Sequence, residues 1–276
     1  MDLNKLENIE LKLLLEAIYD RYGYDFRNYA KASLLRRTRL FMDKAGMKRI
    51  ADLIPAVLHE ENVFLSLVHH YSITVTEFFR DPSVYRTIIE RVFPVLQTYP
   101  YLKVWHAGCA TGEEVYSLAI LLGENGLYER STIYATDFND MALEKSKEGI
   151  YNIEHIKQST VNYQKSGGKS SFSEYYSARY ESVMINKDLR KNITFANHNL
   201  VVDGVFSEMQ LVICRNVMIY FNKELQNRVL EVLTESLNPG GFLCIGTKES
   251  IAFSSVASRY NEIDASARIY QKKYSV

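Results

Sequence analysis

The stretch from residue 103 to residue 122 constrains the fold more than any other part of this sequence. A short apolar segment, residues 103–107, is followed by the small residues of 108–112 (GCATG) and then by a helical pattern over 113–122. A strand, a tight turn and a helix in this order form the repeating unit of a doubly wound sheet. The stretch therefore predicts an α/β domain.

The same order of elements recurs along the rest of the chain. Strands are predicted at residues 131–136, 193–196, 210–214 and 242–246, helices at 139–147 and 223–237, and a last strand at the sheet edge over 267–273. This alternation predicts a mostly parallel sheet. The segment between the second and third strands is longer than the unit needs and contains an aromatic and β-branched part. It predicts a small inserted antiparallel β-subdomain at about residues 160–192.

Residues 1–100 are predicted to be almost wholly helical. Apolar residues recur at spacings of three and four from Leu3 to Ala17, and further helical patterns cover residues 26–45, 53–58 and 62–71. Asp81 followed by Pro82 predicts a helix start with the aspartate as N-cap. We therefore expect a helical domain at 1–80, a linker helix to about residue 100, and an α/β domain at 101–276.

Composition argues against several classes of protein. The 33 Lys and Arg balance 33 Asp and Glu, so no overall charge directs the chain to nucleic acid or an anionic membrane. No apolar run approaches the ~18 residues of a membrane span, and the N-terminus lacks the build of a signal peptide. Three cysteines without a CxxC motif argue against a disulfide framework, and six histidines without metal-ligand spacing predict no metal. We expect a cytoplasmic protein.

Candidate ligand-binding residues follow the strands, because ligands of open α/β sheets bind at the carboxyl ends of the strands. Gly108 lets the backbone approach a ligand closely. Glu113 and Glu114, in the first turn of the next helix, would repel a pyrophosphate but suit a cationic nucleoside such as S-adenosylmethionine. Asp137 ends the second strand and could accept both ribose hydroxyls. An ordinary turn at 108–112 and a helix-capping role for Asp137 stay open.

Two further pairs of residues follow later strands. Asn199 and Leu200 come after the third strand, where amide groups could bond an adenine edge. Arg215 and Asn216 come after the fourth strand, at the predicted centre of the sheet. Spacing alone leaves a chance placement open for both pairs.

Four segments of the chain resemble the CheR family of chemotaxis receptor methyltransferases. They are residues 76–81 (TEFFRD), 105–114 (WHAGCATGEE), 199–200 (NL) and 214–221 (CRNVMIYF), in order along nearly the whole chain. The resemblance implies a class I (Rossmann-like) methyltransferase sheet with an N-terminal all-α domain and an inserted β-subdomain. It also implies methyl transfer from S-adenosylmethionine to receptor glutamates, with S-adenosylhomocysteine as product, in receptor adaptation.

The resemblance also implies roles for individual residues. Tyr220 matches a tyrosine beside the transferred methyl group, so Tyr220 and Arg80 are predicted to orient the reactants. At a position where family members often have asparagine, this chain has Thr74. Cofactor contacts are implied for the following residues, with Thr76 and Arg80 at the methionine end: Thr74, Thr76, Arg80, Glu113, Asp137, Asn199, Leu200, Arg215 and Asn216.

A basic stretch between residues 27 and 49 is the remaining feature of the N-terminal region. Complementary charge steers encounter between partners, and methylated receptor helices are acidic around their glutamates. We therefore expect Arg36, Arg37 and Arg39 to contact the cytoplasmic helices of methyl-accepting receptors. A solvated helix face is the simpler alternative for these arginines.

Three other functions stay open at this stage. A nucleic-acid methyltransferase is disfavoured by the neutral charge and by the lack of proline in residues 215–218. A signalling adaptor could bind the cofactor without catalysis, and a methyltransferase could act on another acceptor. We expect neither nucleic-acid binding nor membrane insertion.

Overall fold

The computed structural model describes residues 3–72 and 76–274, with only the backbone of Leu3. Contacts divide the chain into two compact units. The first, called the helical unit, is Met1–Ile73 with Tyr220–Arg228, and the second, called the sheet unit, is Thr74–Ile219 with Val229–Val276.

The helical unit contains four α-helices in its N-terminal part: α1 (Leu3–Tyr22), α2 (Lys31–Ala45), α3 (Leu53–His59) and α4 (Glu61–Tyr71). Leucines on the inner faces, such as Leu14, Leu53 and Leu67, are fully buried. The second helix was predicted from residue 26, and this start is wrong. Tyr29 forms an isolated bridge with Phe221 instead, so tertiary pairing keeps the preceding residues out of the helix.

The strands of the sheet unit form two sheets. They are β1 (Leu102–Ala107), β2 (Ser131–Asp137), β3 (Ile150–Asn152), β4 (Tyr176–Arg179), β5 (Ser182–Ile185), β6 (Ile193–Asn197), β7 (Met209–Cys214), β8 (Leu237–Ile245), β9 (Tyr260–Asp264) and β10 (Ile269–Lys272). The large sheet has the order β6-β2-β1-β7-β8-β10-β9. Its first five strands are parallel, and β10 runs antiparallel to both neighbours. The predicted doubly wound, mostly parallel architecture is confirmed.

The remaining helices are α5 (Pro82–Thr87), α6 (Phe93–Leu96), α7 (Glu113–Glu124), α8 (Asp140–Glu148), α9 (Ile156–Lys165) and α10 (Lys223–Glu235). A π-helical turn, Ile88–Val92, joins α5 to α6. Every residue of α7 from Val115 to Leu122 is buried. This burial on all sides explains the nearly continuous apolar sequence of the helix. Among the described residues, none of the helices combines the length and apolarity that a membrane crossing requires.

Three details of the sheets differ from the predictions. The last strand, β10, is not at the edge, because β9 pairs with its outer side. Strand β8 begins at Leu237 and not at residue 242, with Gly240 at a φ of 79° within it. The small antiparallel sheet, β3-β5-β4, begins at Ile150, ahead of the predicted insertion at 160–192.

Candidate active site

The loop between β1 and α7 requires glycine at Gly108. Its φ is 75°, and a Cβ there would lie 2.5 Å from Cγ2 of Val217, in the loop after β7. The N–H groups of Gly108 and Cys109 donate to the Thr136 carbonyl at 2.8 and 2.9 Å. The loop is thereby held at the carboxyl ends of β1, β2 and β7. This is the topological switch point of the sheet, where ligands of such folds bind.

Asp137 fixes the shape of this loop. Its carboxylate accepts the N–H of Ala110 at 2.9 Å and the N–H of Asn139 at 3.0 Å. Burial raises the pKa of Asp137, and these two hydrogen bonds act in the opposite direction. Asn139, not Asp137, is the N-cap of α8, since its side chain accepts the Ala142 N–H. Asp137 therefore has an acceptor role at the switch point that helix capping does not explain.

Glu113 begins α7 beside the loop. Its carboxylate accepts a hydrogen bond from Thr111 Oγ1 at 2.7 Å. Burial raises the pKa of Glu113 to about 7, although the Thr111 hydrogen bond lowers it. A cation bound nearby would favour the ionised form. A carboxylate of this kind fits the positive charges of S-adenosylmethionine.

The buried side chain of Arg215 connects three elements through its ion pairs. Its Nη1 pairs with Glu114 Oε1 in α7, and its Nη2 lies 2.6 Å from Asp81 Oδ2. Burial is the largest influence on the pKa of Arg215 and lowers it, but the negative groups around the guanidinium, Glu114 foremost, together outweigh burial, so the pKa is raised. His106 Nε2 lies 3.7 Å from Glu114 Oε2, and burial lowers the pKa of His106, which keeps the imidazole neutral at pH 7.

This ion pair corrects the prediction that Asp81 caps a helix. Asp81 makes no capping hydrogen bond to α5, because its carboxylate binds Arg215. The Arg215 Nη1 group also donates to the Arg80 carbonyl at 3.2 Å. Neither Asp81 nor Glu114 was predicted to pair with Arg215. Their acidic character was visible in the sequence, but their proximity depends on the tertiary fold.

The segment that carries Thr76 and Arg80 is fixed by its aromatic residues. Phe78 and Phe79 are buried, and the Phe79 N–H donates to Ser117 Oγ in α7 at 2.9 Å. Both Thr76 and Arg80 are partly exposed beside these buried rings. Thr74 lies outside the described residues.

Asn216 lies in the loop after β7, which is held by a residue that sequence reasoning missed. The Glu249 carboxylate accepts the N–H groups of Gly246, Asn216 and Ile219 at 2.6, 3.1 and 3.1 Å. Asn216 has a φ of 60°, and its Oδ1 is buried without a hydrogen-bond partner among the described residues. Buried acceptors of this kind are rare, so a donor from a bound cofactor fits this position.

Asn199 and Leu200 form a turn after β6. The Asn199 side chain accepts the Val201 N–H at 3.0 Å, and its own N–H donates to Asp203 at 2.7 Å. Leu200 is buried. The local hydrogen bonds give Asn199 a structural role, and its contact with an adenine stays a prediction.

Tyr220 belongs to the helical unit. Its carbonyl accepts the Ala30 N–H at 2.6 Å, and the Arg37 guanidinium lies 5.8 Å from its ring centroid. Arg37 Nη1 also donates to the carbonyls of His70 and Tyr71 at the end of α4, at 3.0 and 2.9 Å. Arg37 is therefore engaged in packing and in supporting Tyr220.

The other two predicted docking arginines differ from Arg37. Arg39 forms an ion pair with Glu7. Arg36 is exposed and forms no ion pair within the described part of the chain. Of the three, Arg36 is best placed to meet an acidic partner, and the docking role of all three stays a prediction.

The sheet order, the glycine loop at its switch point and the acidic first turn of α7 define a class I, S-adenosylmethionine-dependent methyltransferase. The family description "CheR methyltransferase, SAM binding domain" matches residues 74–268, and "CheR methyltransferase, all-alpha domain" matches residues 9–70. The chain belongs to the CheR methyltransferase family. The predicted family and cofactor are confirmed.

Known relatives support this assignment. A Pseudomonas putida protein named "Putative methyltransferase Cher3" is 47% identical over 96% of this chain and 97% of its own length. A "Chemotaxis protein methyltransferase" of Listeria innocua is 30% identical over 83% of this chain and 85% of its own. A Rhodobacter capsulatus protein of 104.1 kDa is 32% identical over 90% of this chain, which corresponds to 26% of that protein.

Proposed function

We propose that this protein transfers the methyl group of S-adenosylmethionine to glutamate side chains of chemotaxis receptors, forming methyl esters that set receptor adaptation. The observation that carries the proposal is the acidic switch-point site, Glu113 with Asp137, in a chain of the CheR family. Chemotaxis methyltransferases among the relatives support the choice of receptor proteins as acceptors. The cytoplasmic location predicted from the sequence suits acceptor helices on that side of the membrane.

The reaction needs no general base from the protein. A glutamate carboxylate, with an ordinary pKa of about 4.3, is already ionised at neutral pH. S-adenosylmethionine supplies a methyl group on a sulfonium leaving group, so an in-line displacement involves no proton transfer. The protein has to orient the reactants and remove water from them.

The residues of the site divide these tasks between them. Glu113, once ionised, attracts the positive end of the cofactor, and Asp137 accepts its ribose hydroxyls. Asn216 Oδ1 offers a buried acceptor to the adenosyl group. Tyr220 and Arg80 orient the reacting groups, and Arg215 keeps the surrounding elements in place through its ion pairs.

The direct test uses radiolabelled S-adenosylmethionine with receptor-containing membranes. After transfer, mild alkali hydrolyses carboxyl methyl esters to methanol, whereas N-methyl groups stay attached. Volatile label that depends on the protein is the expected result. Non-volatile label on protein would point to another acceptor group, and cofactor binding without any transfer would point to an adaptor.

Cofactor affinity is expected to rise with pH between about 6 and 8. The pKa of Glu113 is about 7, and only the ionised form attracts a cation, so affinity falls by up to about tenfold per unit below pH 7. Calorimetric Kd values across this range test the prediction. In E113Q the cofactor Kd should no longer change with pH through the ionisation of residue 113. The same dependence of Kd on pH in E113Q and the wild type would exclude Glu113 from the site.

The same pKa predicts an opposite trend in the stability of the cofactor-free protein. The pKa of Glu113 is about 7 in the folded protein and 4.5 ordinarily, so the folded state binds the Glu113 proton more tightly than the unfolded state. The resulting contribution to the free energy of unfolding is complete below pH 4.5 and is lost as the pH rises through about 7.

Charge reversal at Arg36 is expected to weaken acceptor docking. R36E should lower kcat/KM for receptor methylation by about threefold to tenfold at low ionic strength, and salt should reduce the difference. The Kd of the cofactor should stay unchanged. K157E, at an exposed lysine of α9, makes the same change in net charge elsewhere. Equal losses in both variants would contradict a docking role for Arg36.

A further inference from the structure

A small cavity lies along β9 and β10, at the antiparallel end of the large sheet. Its volume is about 190 Å³, and its lining includes Ser250, Ile251, Tyr260, Glu262, Arg268 and Tyr270. Pockets for drug-sized ligands are about 300–1,000 Å³, so this cavity suits a group the size of one side chain.

The Arg268 end of the cavity lies at the same edge of the sheet as the candidate active site. The Arg268 carbonyl accepts the N–H of Ile245, the last residue of β8, at 3.1 Å. Strand β8 is the direct neighbour of β7, and the loop after β7 carries Arg215 and Asn216. Arg268 directly precedes β10, which is two strands from β7, so with neighbouring strands about 4.8 Å apart its backbone lies about 10 Å from the loop after β7. A protein bound at the active site can therefore also reach Arg268.

Arg268 leaves its charge unmatched in this cavity. Its Nε is buried without a hydrogen-bond partner, and its guanidinium forms no ion pair within residues 3–72 and 76–274. A buried donor on a charged group is costly to leave unpaired. The planar guanidinium matches a carboxylate, which can accept two parallel hydrogen bonds. Glu262, the other charged residue of the lining, is exposed and forms no ion pair with Arg268, so it does not neutralise the guanidinium.

Phe253 indicates that the ligand is part of a protein. It follows Ile251 and Ala252, which both line the cavity, and its side chain is fully exposed. Aromatic residues and arginine are enriched in protein interfaces. An exposed ring that directly follows two lining residues, and an unpaired arginine in the same lining, can offer an apolar contact and a charged contact to one partner.

We propose that this cavity binds an acidic side chain of the acceptor protein, next to the glutamate that is methylated. The assignment rests on the proposed function for the identity of the acceptor. The carboxylate enters the cavity and pairs with Arg268, and Phe253 contacts the surrounding surface of the acceptor. The cavity thereby selects acceptor sites that carry a second acidic residue.

A binding experiment tests the cavity without relying on methyl transfer. Saturation-transfer NMR is measured on the full chain with S-adenosylhomocysteine, using N-acetyl-glutamate α-amide as probe and N-acetyl-glutamine α-amide as its neutral match. We expect a signal for the glutamate probe with the wild type and a clearly weaker signal with R268Q, in which only the acceptor position of the active site can still bind the probe. A glutamate signal of wild-type strength in R268Q, equal signals from both probes, or no glutamate signal with the wild type would overturn the assignment.

A transfer experiment then tests the acceptor. In the receptor-membrane assay, R268Q should lower kcat/KM by about tenfold or more with an unchanged cofactor Kd, and F253S should lower it less. E262Q should raise kcat/KM, because it removes a repulsive charge. If R268Q does not fold, E262Q still tests the proposal, because an unchanged or lower kcat/KM for E262Q contradicts it. A wild type that binds the glutamate probe but esterifies no receptor would refute the proposed function and leave the carboxylate site intact.

Discussion

Replacement of Arg215 by methionine is expected to destabilise the protein by about 3–5 kcal/mol, because it leaves a buried carboxylate without its partner. The side chains of Arg215 and Glu114 are 1% and 8% exposed, whereas that of Asp81 is 37% exposed. Glu114 therefore bears most of the penalty, and Asp81 can be solvated. The free energy of unfolding from urea titration measures the effect.

The double variant R215M/E114M is the matched control for this prediction. Replacing both members of a buried ion pair by apolar residues of similar size is often neutral or stabilising. We expect the double variant to recover most of the stability that R215M loses. A double variant as unstable as R215M would mean that Arg215 acts through packing and not through Glu114.

Measuring the cofactor Kd of these variants shows whether the ion pairs of Arg215 also matter for cofactor binding, apart from their effect on stability. The ion pairs of Arg215 connect the loop after β7, the first turn of α7 and the segment that carries Arg80. We expect the double variant to be folded but to bind S-adenosylmethionine less tightly, because these three elements lose their charged connection. Unchanged affinity would show that packing alone holds the site.

Replacement of Asp137 by alanine is expected to weaken cofactor binding by roughly 10- to 150-fold. Hydrogen bonds to a charged acceptor contribute about 1.5–3 kcal/mol, and the proposed ribose contact is of this kind. The N–H groups of Ala110 and Asn139 also lose their acceptor, so the loop loses its preorganised shape. Calorimetric titration of S-adenosylmethionine into the variant measures the effect.

Two variants control this measurement. D137N keeps an oxygen acceptor but loses the charge, so its affinity should fall between those of the wild type and D137A. E148A removes an exposed carboxylate at the end of α8 and should bind as the wild type does. Wild-type affinity in D137A would remove Asp137 from the cofactor site.

The strand and helix pattern was predictable because it depends on local periodicity. The core strands β1, β2 and β7 are short and contain β-branched or aromatic residues, and helix α7 is apolar along nearly its whole length. The signals that failed were those in which a distant partner decides the local conformation. Strand β9 (YNEID) has no apolar alternation, and it forms because β10 offers an unpaired edge.

The same reason explains the errors at element ends. The NPGG sequence at residues 238–241 is typical of a loop, yet it lies within β8, because the flanking residues Leu237 and Phe242 pair with Met209 and Leu211 of β7 and the register shifts between these two pairs. Asp81 precedes a proline as a helix cap should, but its carboxylate binds Arg215 instead. In both places a tertiary interaction outweighs a local preference.

The sequence by itself determined the class of fold, the CheR family and the cofactor, because periodicity and the motifs at 105–114 and 214–221 are local properties of the chain. Only the tertiary structure decided which charges meet. In the folded protein Arg215 pairs with Glu114 and Asp81. The Glu249 carboxylate accepts hydrogen bonds from the loop after β7, and Arg37 donates to carbonyls at the end of α4. The tertiary structure also left Arg268 unpaired beside a cavity. Burial and partner distance set these roles, and both depend on residues far apart in the chain.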